Sequence, residues 1–289
     1  MPNELWTIKR LLDWTTDHFT KHQIENPHLE AEILLAHALA TERIKLYIDF
    51  EKEPDRVALE IFKGFIKRRT KREPAAYITG NKYFMSLAFK VTRDVLIPRP
   101  ETELLIENAI ELSKTFDRVS ALDIGTGSGA IAVSLARFID NMDICATDSS
   151  QKALELALEN AKKHGVESRI KFTETNLFPK EIQKFNIIIS NPPYIKTADI
   201  QNLAPEIRDF EPIAALDGGA DGLNYYRKIA EQAETYLKDD GYLLLEIGAG
   251  QSKDVVGIIN DKLKPKSIRV KKDLSGLDRV VIASGFSAS

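Results

Sequence analysis

The chain has 289 residues, 43% of them hydrophobic and 29% charged, the balance of a folded globular protein with room for one large domain or two ordinary ones. Its formal net charge of −3 excludes a protein that holds nucleic acid through a uniformly basic surface, leaving only local patches for that purpose. Cys145 is the single cysteine, which excludes an intrachain disulfide and argues against cysteine-ligated zinc.

The opening stretch "MPNELWTIKRLLDW" carries charges within its apolar pattern. No apolar run in the chain reaches the ~20 residues that a membrane span needs, so a cytoplasmic protein with no membrane contact is expected. Leu5, Ile8, Leu11 and Leu12 recur at helical spacing and make one apolar stripe. In "NPHLEAEILLAHALA", Asn26 reads as an N-cap and Pro27 as the first helical residue. Val57, Ile61 and Phe65, with Phe62 and Ile66, make a third stripe. Residues 1–75 therefore read as a small all-α bundle. Its end, "IKRRTKREP", is a basic cluster, suited either to the negative end of a helix dipole or to contact with RNA or an acidic partner. His18 and His22 stand one helical turn apart without carboxylates at ligand spacing, so no metal is expected.

Pro74 breaks the helical pattern. "YITGNKYFMSLAFKVTRDVLIPRPETE" holds short β-rich runs with a turn signal at Gly80 and Asn81, read as a β-hairpin linker over residues 76–95. Over residues 96–289 helix and strand alternate. Helices are expected in "ELLIENAIELSKTF", "GAIAVSLARFI" and "QKALELALENAKKHG", and strands in "VSALDIG", "MDICATD", "IKFTET", "FNIIIS" and "YLLLEIG". Strands separated by helices imply an α/β fold whose mostly parallel sheet is covered on both faces. "SIRVKKD" and "DRVVIAS", with Gly276 between them, read as an antiparallel pair at the sheet edge. Cys145 sits in one of the apolar strands and reads as a small core residue.

The first strand-to-helix turn of this region is "DIGTGSGAIAV". Gly125, Gly127 and Gly129 let the backbone turn tightly and let a ligand approach main-chain N–H groups at a helix start. The spacing G-x-G-x-G, with Asp123 before it, is not the dinucleotide fingerprint. Asp148 ends the next strand, where a carboxylate can accept both hydroxyls of a ribose; as a bare helix cap before "SSQKALELA" it would need no ligand. In "IIISNPPYI", an apolar run stops abruptly at Asn191, Pro192, Pro193 and Tyr194. Two successive prolines make a stiff turn that aims Asn191 and Tyr194.

The glycine loop resembles that of the class I S-adenosylmethionine-dependent methyltransferases, a resemblance that implies their Rossmann-like, mostly parallel sheet. The cofactor has no phosphate, so Asp123 is tolerable there and can face its amino-acid part. "NPPY" resembles the motif of enzymes that methylate nitrogens attached to flat π-systems. Such a nitrogen is a poor nucleophile until its hydrogens are held, and Asn191 Oδ1 and the Pro192 carbonyl can accept one each, with Tyr194 offering an aromatic face.

Taken together, "REPAAYITG", "LIPRPETE", "DIGTGSGAIA", "NPPYI", "EPIAALDGGADGLNYYR" and "LLLEIGAGQ" resemble the bacterial release factor glutamine methyltransferases over essentially the full length. That resemblance implies methyl transfer from S-adenosylmethionine to the glutamine of the Gly-Gly-Gln motif in class-1 peptide chain release factors, docked by the helical domain. It implies cofactor contacts from Gly125, Thr126, Gly127, Ser128, Gly129, Asp148 and Asn191. The target glutamine would lie on Asn191, Pro192, Pro193 and Tyr194, with Asn191, Pro192 and Tyr194 as the catalytic set. Asn176 and Leu177 stand where many relatives carry an acidic residue and a tryptophan; Asn176 can still meet an adenine amino group and Leu177 cover its ring. In "RPETE", Glu101 and Glu103 fall on different sides of a beginning helix and suit its dipole, the other reading placing Arg99 and Glu101 in the cofactor pocket. The polar stretch from Lys196 to Asn224 reads as a lid or docking segment. A monomer without a stable nucleic-acid complex is expected. The readings set against this are an N-methyltransferase of RNA or DNA, which would want a basic, aromatic recognition region, and a non-catalytic cofactor-binding adaptor.

Overall fold

The computed structural model describes residues 5–286; the extreme ends of the expected domains, residues 1–4 and 287–289, lie outside the described part. The chain divides into two compact units, one of Met1–Asn81 with Ala204–Phe210, the other of Lys82–Leu203 with Glu211–Ser289.

In the first unit, helix α1 (Ile8–Lys21) starts where Thr7 Oγ1 accepts from the Arg10 N–H, and it buries Ile8, Leu11, Leu12 and Phe19. Leu5, expected on that stripe, precedes the helix and is exposed. Helix α2 (Pro27–Ala38) has Pro27 in its first turn as expected. Asn26 adopts a left-handed φ of 49° and makes no side-chain cap; asparagine tolerates that region. Helix α3 (Arg43–Ile48) follows, then α4 (Arg56–Thr70), capped by Asp55 Oδ1 accepting from Ala58 N. Helix α4 turns Ala58, Phe62, Ile66 and Arg69 inward and leaves Val57 and Ile61 exposed. The helix carries two neighbouring apolar rows, and the row that also brings Arg69 to the carboxylates of Glu30 and Glu206 is the one buried. Helix α5 (Ala75–Thr79) ends at Gly80, whose φ is 70°.

Strands β1 (Asn81–Phe84) and β2 (Leu87–Lys90) form the expected hairpin. Its turn is Met85–Ser86, both at positive φ, rather than Gly80–Asn81. A two-residue loop with both residues left-handed matches the twist of the flanking strands, and Gly80 is spent on ending α5.

The rest of the second unit follows the expected alternation: α6 (Glu101–Ser113), β3 (Val119–Ile124), α7 (Ala130–Phe138), β4 (Met142–Asp148), α8 (Gln151–Lys163), β5 (Ile170–Glu174) and β6 (Phe185–Ser190). The four-residue α9 (Pro205–Arg208) lies in the segment that joins the first unit. Then come α10 (Asn224–Tyr236), β7 (Leu237–Glu246), α11 (Ser252–Leu263), β8 (Ser267–Lys272) and β9 (Asp278–Ser284).

The sheet order is β5-β4-β3-β6-β7-β9-β8. Strands β3 to β7 are parallel, and β9 runs antiparallel to both β7 and β8. All six residues of β6 are buried, as a strand covered on both faces requires. Its alternation sorts the core: Ile187 and Ile189 pack with Leu105, Ile106 and Val133, while Ile188 packs with Tyr226, Ile229 and Val255 on the other face. Each layer is dense enough that truncating a buried branched side chain costs about 2–5 kcal/mol. Strand order reverses at β3, with β4 on one side and β6 on the other. That is where open α/β sheets leave a crevice at their carboxyl ends.

Candidate active site

Beyond β3 the chain enters Gly125–Gly129 with φ of 73°, 55° and 79° at the three glycines. The loop is pinned to the neighbouring strand: Gly125 N and Thr126 N donate to the Thr147 carbonyl at 2.8 and 2.9 Å. Asp148 completes the clasp, its Oδ2 accepting from Gly127 N and its Oδ1 from Ser150 N, both at 2.9 Å. Each oxygen keeps a lone pair for a further donor. Ser150, not Asp148, caps α8.

A cavity of about 380 Å³ opens here, lined by Gly125, Thr126, Gly127, Ser128, Asp148, Asn176, Leu177, Asn191, Pro192 and Pro193. Its far wall comes from Leu96, Pro98, Arg99 and Thr102, and its rim from Pro212, Ala214, Ala215 and Tyr225. Arg99 is held by Glu211, which is buried and also accepts from Ile97 N at 3.2 Å. The volume falls in the range of small-molecule sites, about 300–1,000 Å³. A carboxylate with free lone pairs and an apolar wall, with the wall's Arg99 already engaged by Glu211, suit an adenosine-type ligand.

Of the contact residues that the resemblance implies, Gly129 and Tyr194 are absent from this lining. Gly129 is buried at the start of α7, where an added Cβ would lie 3.0 Å from Ala157 Cβ. Tyr194 lines a separate polar depression with Gly248 and Gln251, and it packs on the core face carried by Tyr226. Burial, then the nearby Glu246 charge, pushes its hydroxyl up to about 12. The Tyr194 carbonyl accepts from Gln251 Nε2 at 3.0 Å, which ties the end of "NPPY" to the turn after β7.

Asp123, which the sequence allowed to face the ligand, is fully buried and absent from the cavity lining. Thr126 stands between them, donating to Asp123 Oδ2 at 2.7 Å. Burial pushes the Asp123 carboxyl up to about 7. Leu177 lines the cavity at φ 80°, a left-handed backbone costly for a branched side chain and characteristic of ligand sites. Its carbonyl accepts from Thr147 Oγ1 at 2.7 Å. Glu101 is exposed, and Glu103 accepts from Met85 N at 2.7 Å.

Thr102, between Glu101 and Glu103, carries no signal in the sequence that marks it for the site. Thr102 Oγ1 accepts from Asn191 Nδ2 at 3.0 Å and donates to Glu246 Oε2 at 2.6 Å. The available signal for Glu246 was a lone carboxylate in the apolar run "YLLLEIG". Among the described residues no group of histidine, cysteine or acidic side chains is placed to hold a metal ion, and no helix is long and apolar enough to cross a membrane. Cys145 is buried in β4, and burial pushes its thiol up.

The three arginines of the basic cluster are ion-paired, while Lys67 and Lys71 are exposed. Arg68 pairs with Glu73, Arg69 with Glu30 and Glu206, and Arg72 with Glu206.

The family described as PrmC N-terminal domain matches residues 10–80, and that described as methyltransferase small domain matches residues 100–207. Among solved structures, the hMettl16 catalytic domain bound to an RNA hairpin superposes with a TM-score of 0.56 at 16% identity, covering 75% of this chain and 80% of that one, a likeness of fold. Two curated relatives are much nearer in sequence. The release factor glutamine methyltransferase of Geobacter sulfurreducens is 43% identical over 96% of both chains. That of Rhodopirellula baltica is 39% identical over 96% of this chain and 95% of its own. With a methyltransferase sheet, a glycine loop clasped by Asp148 and near full-length identity of this order, the chain belongs to the release factor glutamine methyltransferase family.

Proposed function

We propose that this protein methylates the side-chain amide nitrogen of the glutamine in the Gly-Gly-Gln motif of class-1 peptide chain release factors, using S-adenosylmethionine, and so supports translation termination. The observation that carries this reading is Asn191: its amide nitrogen is turned onto Thr102, which leaves Oδ1 for the cavity that Asn191 lines. The cofactor supplies an electrophilic methyl group on a sulfonium. Asp148, through its remaining lone pairs, takes the ribose hydroxyls, and Leu177 with Asn176 takes the adenine. Asn191 Oδ1 and the Pro192 carbonyl each accept one N–H of the glutamine amide, which draws the nitrogen lone pair out of the π-system and aims it at the methyl group. As the nitrogen–carbon bond formed, the methyl–sulfur bond would break and S-adenosylhomocysteine would leave with the electron pair; the methylated nitrogen, acidic while cationic, would release its proton to solvent, so no strong base is required of the chain. Pro193 and Tyr194 act as the wall behind the turn, with Gln251 holding the Tyr194 carbonyl.

In the same reading the helical unit docks the release factor, the enzyme works in the cytoplasm as a monomer, and it forms no stable nucleic-acid complex. The ion-paired state of Arg68, Arg69 and Arg72 supports the last point, because cations engaged internally contribute little to phosphate binding.

Incubation with labelled cofactor and, separately, purified release factor, total tRNA and duplex DNA tests the proposal. Label is expected on the release factor alone; label on nucleic acid and none on the release factor would sink it. Asn191→Ala is expected to bind cofactor nearly as wild type while transfer drops by roughly 10²-fold or more, the loss from misplacing a reacting group.

A further inference from the structure

Glu246 ends β7 and is 1% exposed, an expensive place for a carboxylate unless it has work to do. It accepts from Thr102 Oγ1, and Thr102 in turn accepts from Asn191 Nδ2. The direction of this chain of hydrogen bonds is not free. An ionised carboxylate only accepts, so the Thr102 proton must point at Glu246 and a hydroxyl lone pair must face Asn191. Only the NH2 end of the Asn191 amide satisfies that lone pair, so the oxygen is left facing the cavity. If Glu246 is protonated the chain can run the other way. The acid donates to Thr102, the hydroxyl proton turns to Asn191, and the amide turns over to present NH2 to the cavity, where it cannot accept an N–H.

We propose that Glu246 and Thr102 are positioning residues that decide which end of the Asn191 amide faces the substrate, and that protonation of Glu246 turns the amide over and switches methyl transfer off. The inference rests on the reading that Asn191 Oδ1 receives the glutamine amide. Burial pushes the Glu246 carboxyl up to about 7; Thr102, Arg279 and Asn191 oppose this, and Glu101 adds to it. The charged and titratable groups around Glu246 are few. Glu101 lies on α6, Arg279 on β9 is paired with Asp273 at 3.1 Å, and the Tyr226 hydroxyl on α10 donates to the Glu246 backbone carbonyl at 2.9 Å rather than to the carboxylate. Tyr194 and Tyr226 are both pushed up by burial, with the Glu246 charge contributing, so both stay neutral across the range in which Glu246 titrates.

The test is single-turnover methylation of purified release factor at saturating cofactor, followed against pH. Wild type is expected to lose activity as pH falls through about 7, the sign required of a group that must be ionised. Glu246→Gln cannot titrate, and its profile is expected to be flat there. Thr102→Val removes the hydroxyl without changing shape and is expected to slow transfer by roughly 10²-fold with cofactor affinity close to wild type, while Thr102→Ser restores the rate. A limb that survives in Glu246→Gln, or Thr102→Val within about twofold of wild type, overturns the proposal. Asn191→Ala separates the two failures. If it abolishes transfer while the other variants behave as wild type, only the relay is wrong; if it keeps full turnover, the reading of Asn191 falls and the relay with it. Should one variant misfold, the other still decides the matter.

Discussion

At the scale of single residues, the site is held by buried carboxyls whose protonation is coupled to folding. Asp123 keeps one oxygen on Thr126, and its other oxygen has no partner among the described residues. Asp123 and Glu246 are both pushed up to about 7, in each case first by burial. A carboxyl with a folded pKa above its unfolded value binds its proton more tightly when folded. Its contribution is therefore greatest below the unfolded pKa and is lost as pH rises to the folded one. The thermal midpoint of the ligand-free protein is thus expected to rise as pH falls from about 8 to about 5.5, with Asp123→Asn flattening the rise. Calorimetry across that range checks it, and a midpoint that falls steadily toward pH ~5.5 contradicts it. The opposing group Asp221, held at about 2 by Arg227, loses its contribution only at lower pH.

At the scale of elements, close backbone approach decides where the site residues stand. Gly129 has φ +79°, and a Cβ there would meet Ala157 Cβ at 3.0 Å and Cα at 3.1 Å, both on α8. Gly129→Ala is expected to destabilise the fold by about 1–3 kcal/mol through left-handed strain and overpacking and to weaken cofactor binding, since α7 and its loop must shift away from α8. Denaturant unfolding together with cofactor titration reads both; unchanged values in both would remove the argument. Gly222 plays the same part beneath Tyr194. Its φ is +77°, and a Cβ would collide with the Tyr194 carbonyl and approach Gln251 Nε2 at 2.8 Å. Gly222→Ala is therefore expected to lower the transfer rate by displacing "NPPY". The stretch from Lys196 to Asn224, expected as a lid or docking segment, contains short helical turns and local contacts such as Thr197 Oγ1 on Asp217 at 2.7 Å.

At the scale of the whole molecule, the helical unit is not contiguous in sequence. It takes in Ala204–Phe210, and the tie is electrostatic. Arg69, 4% exposed, donates to Glu30 at 2.8 Å and to Glu206 at 3.1 Å, and Arg72 reaches Glu206 at 3.0 Å. Burial works against the Glu206 charge, but its own backbone N–H, Arg72 and Arg69 outweigh it and hold the carboxyl below its ordinary value. Removing one side of a buried pair leaves the other uncompensated. Arg69→Leu is expected to cost roughly 2 kcal/mol, less than a fully buried pair because Glu206 keeps Arg72. Amide exchange should quicken across residues 204–210, and protection there equal to wild type would show that the arginine is not the tie.

Much of this was legible in the chain itself. Strands β3, β4 and β6 are short apolar runs bounded by glycine, aspartate or proline, so length and breakers identify them without tertiary knowledge. The glycine spacing, Asp148 and "NPPY" marked where a ligand and an aimed turn would stand, and the family resemblance those stretches carry supplied the chemistry. What periodicity left open was choice between equivalents: which of two apolar rows on α4 turns inward, and whether Gly80 ends a helix or turns a hairpin. Neighbours distant in sequence settle such choices. The same holds for the site's polarity. Asn191 was identifiable from its own stretch, yet the end of its amide that faces the cavity is set by Thr102, 89 positions away, and through it by Glu246, a further 144 positions from Thr102. An amide has two ends of nearly equal shape, and only the hydrogen-bond partners that folding brings together can tell them apart.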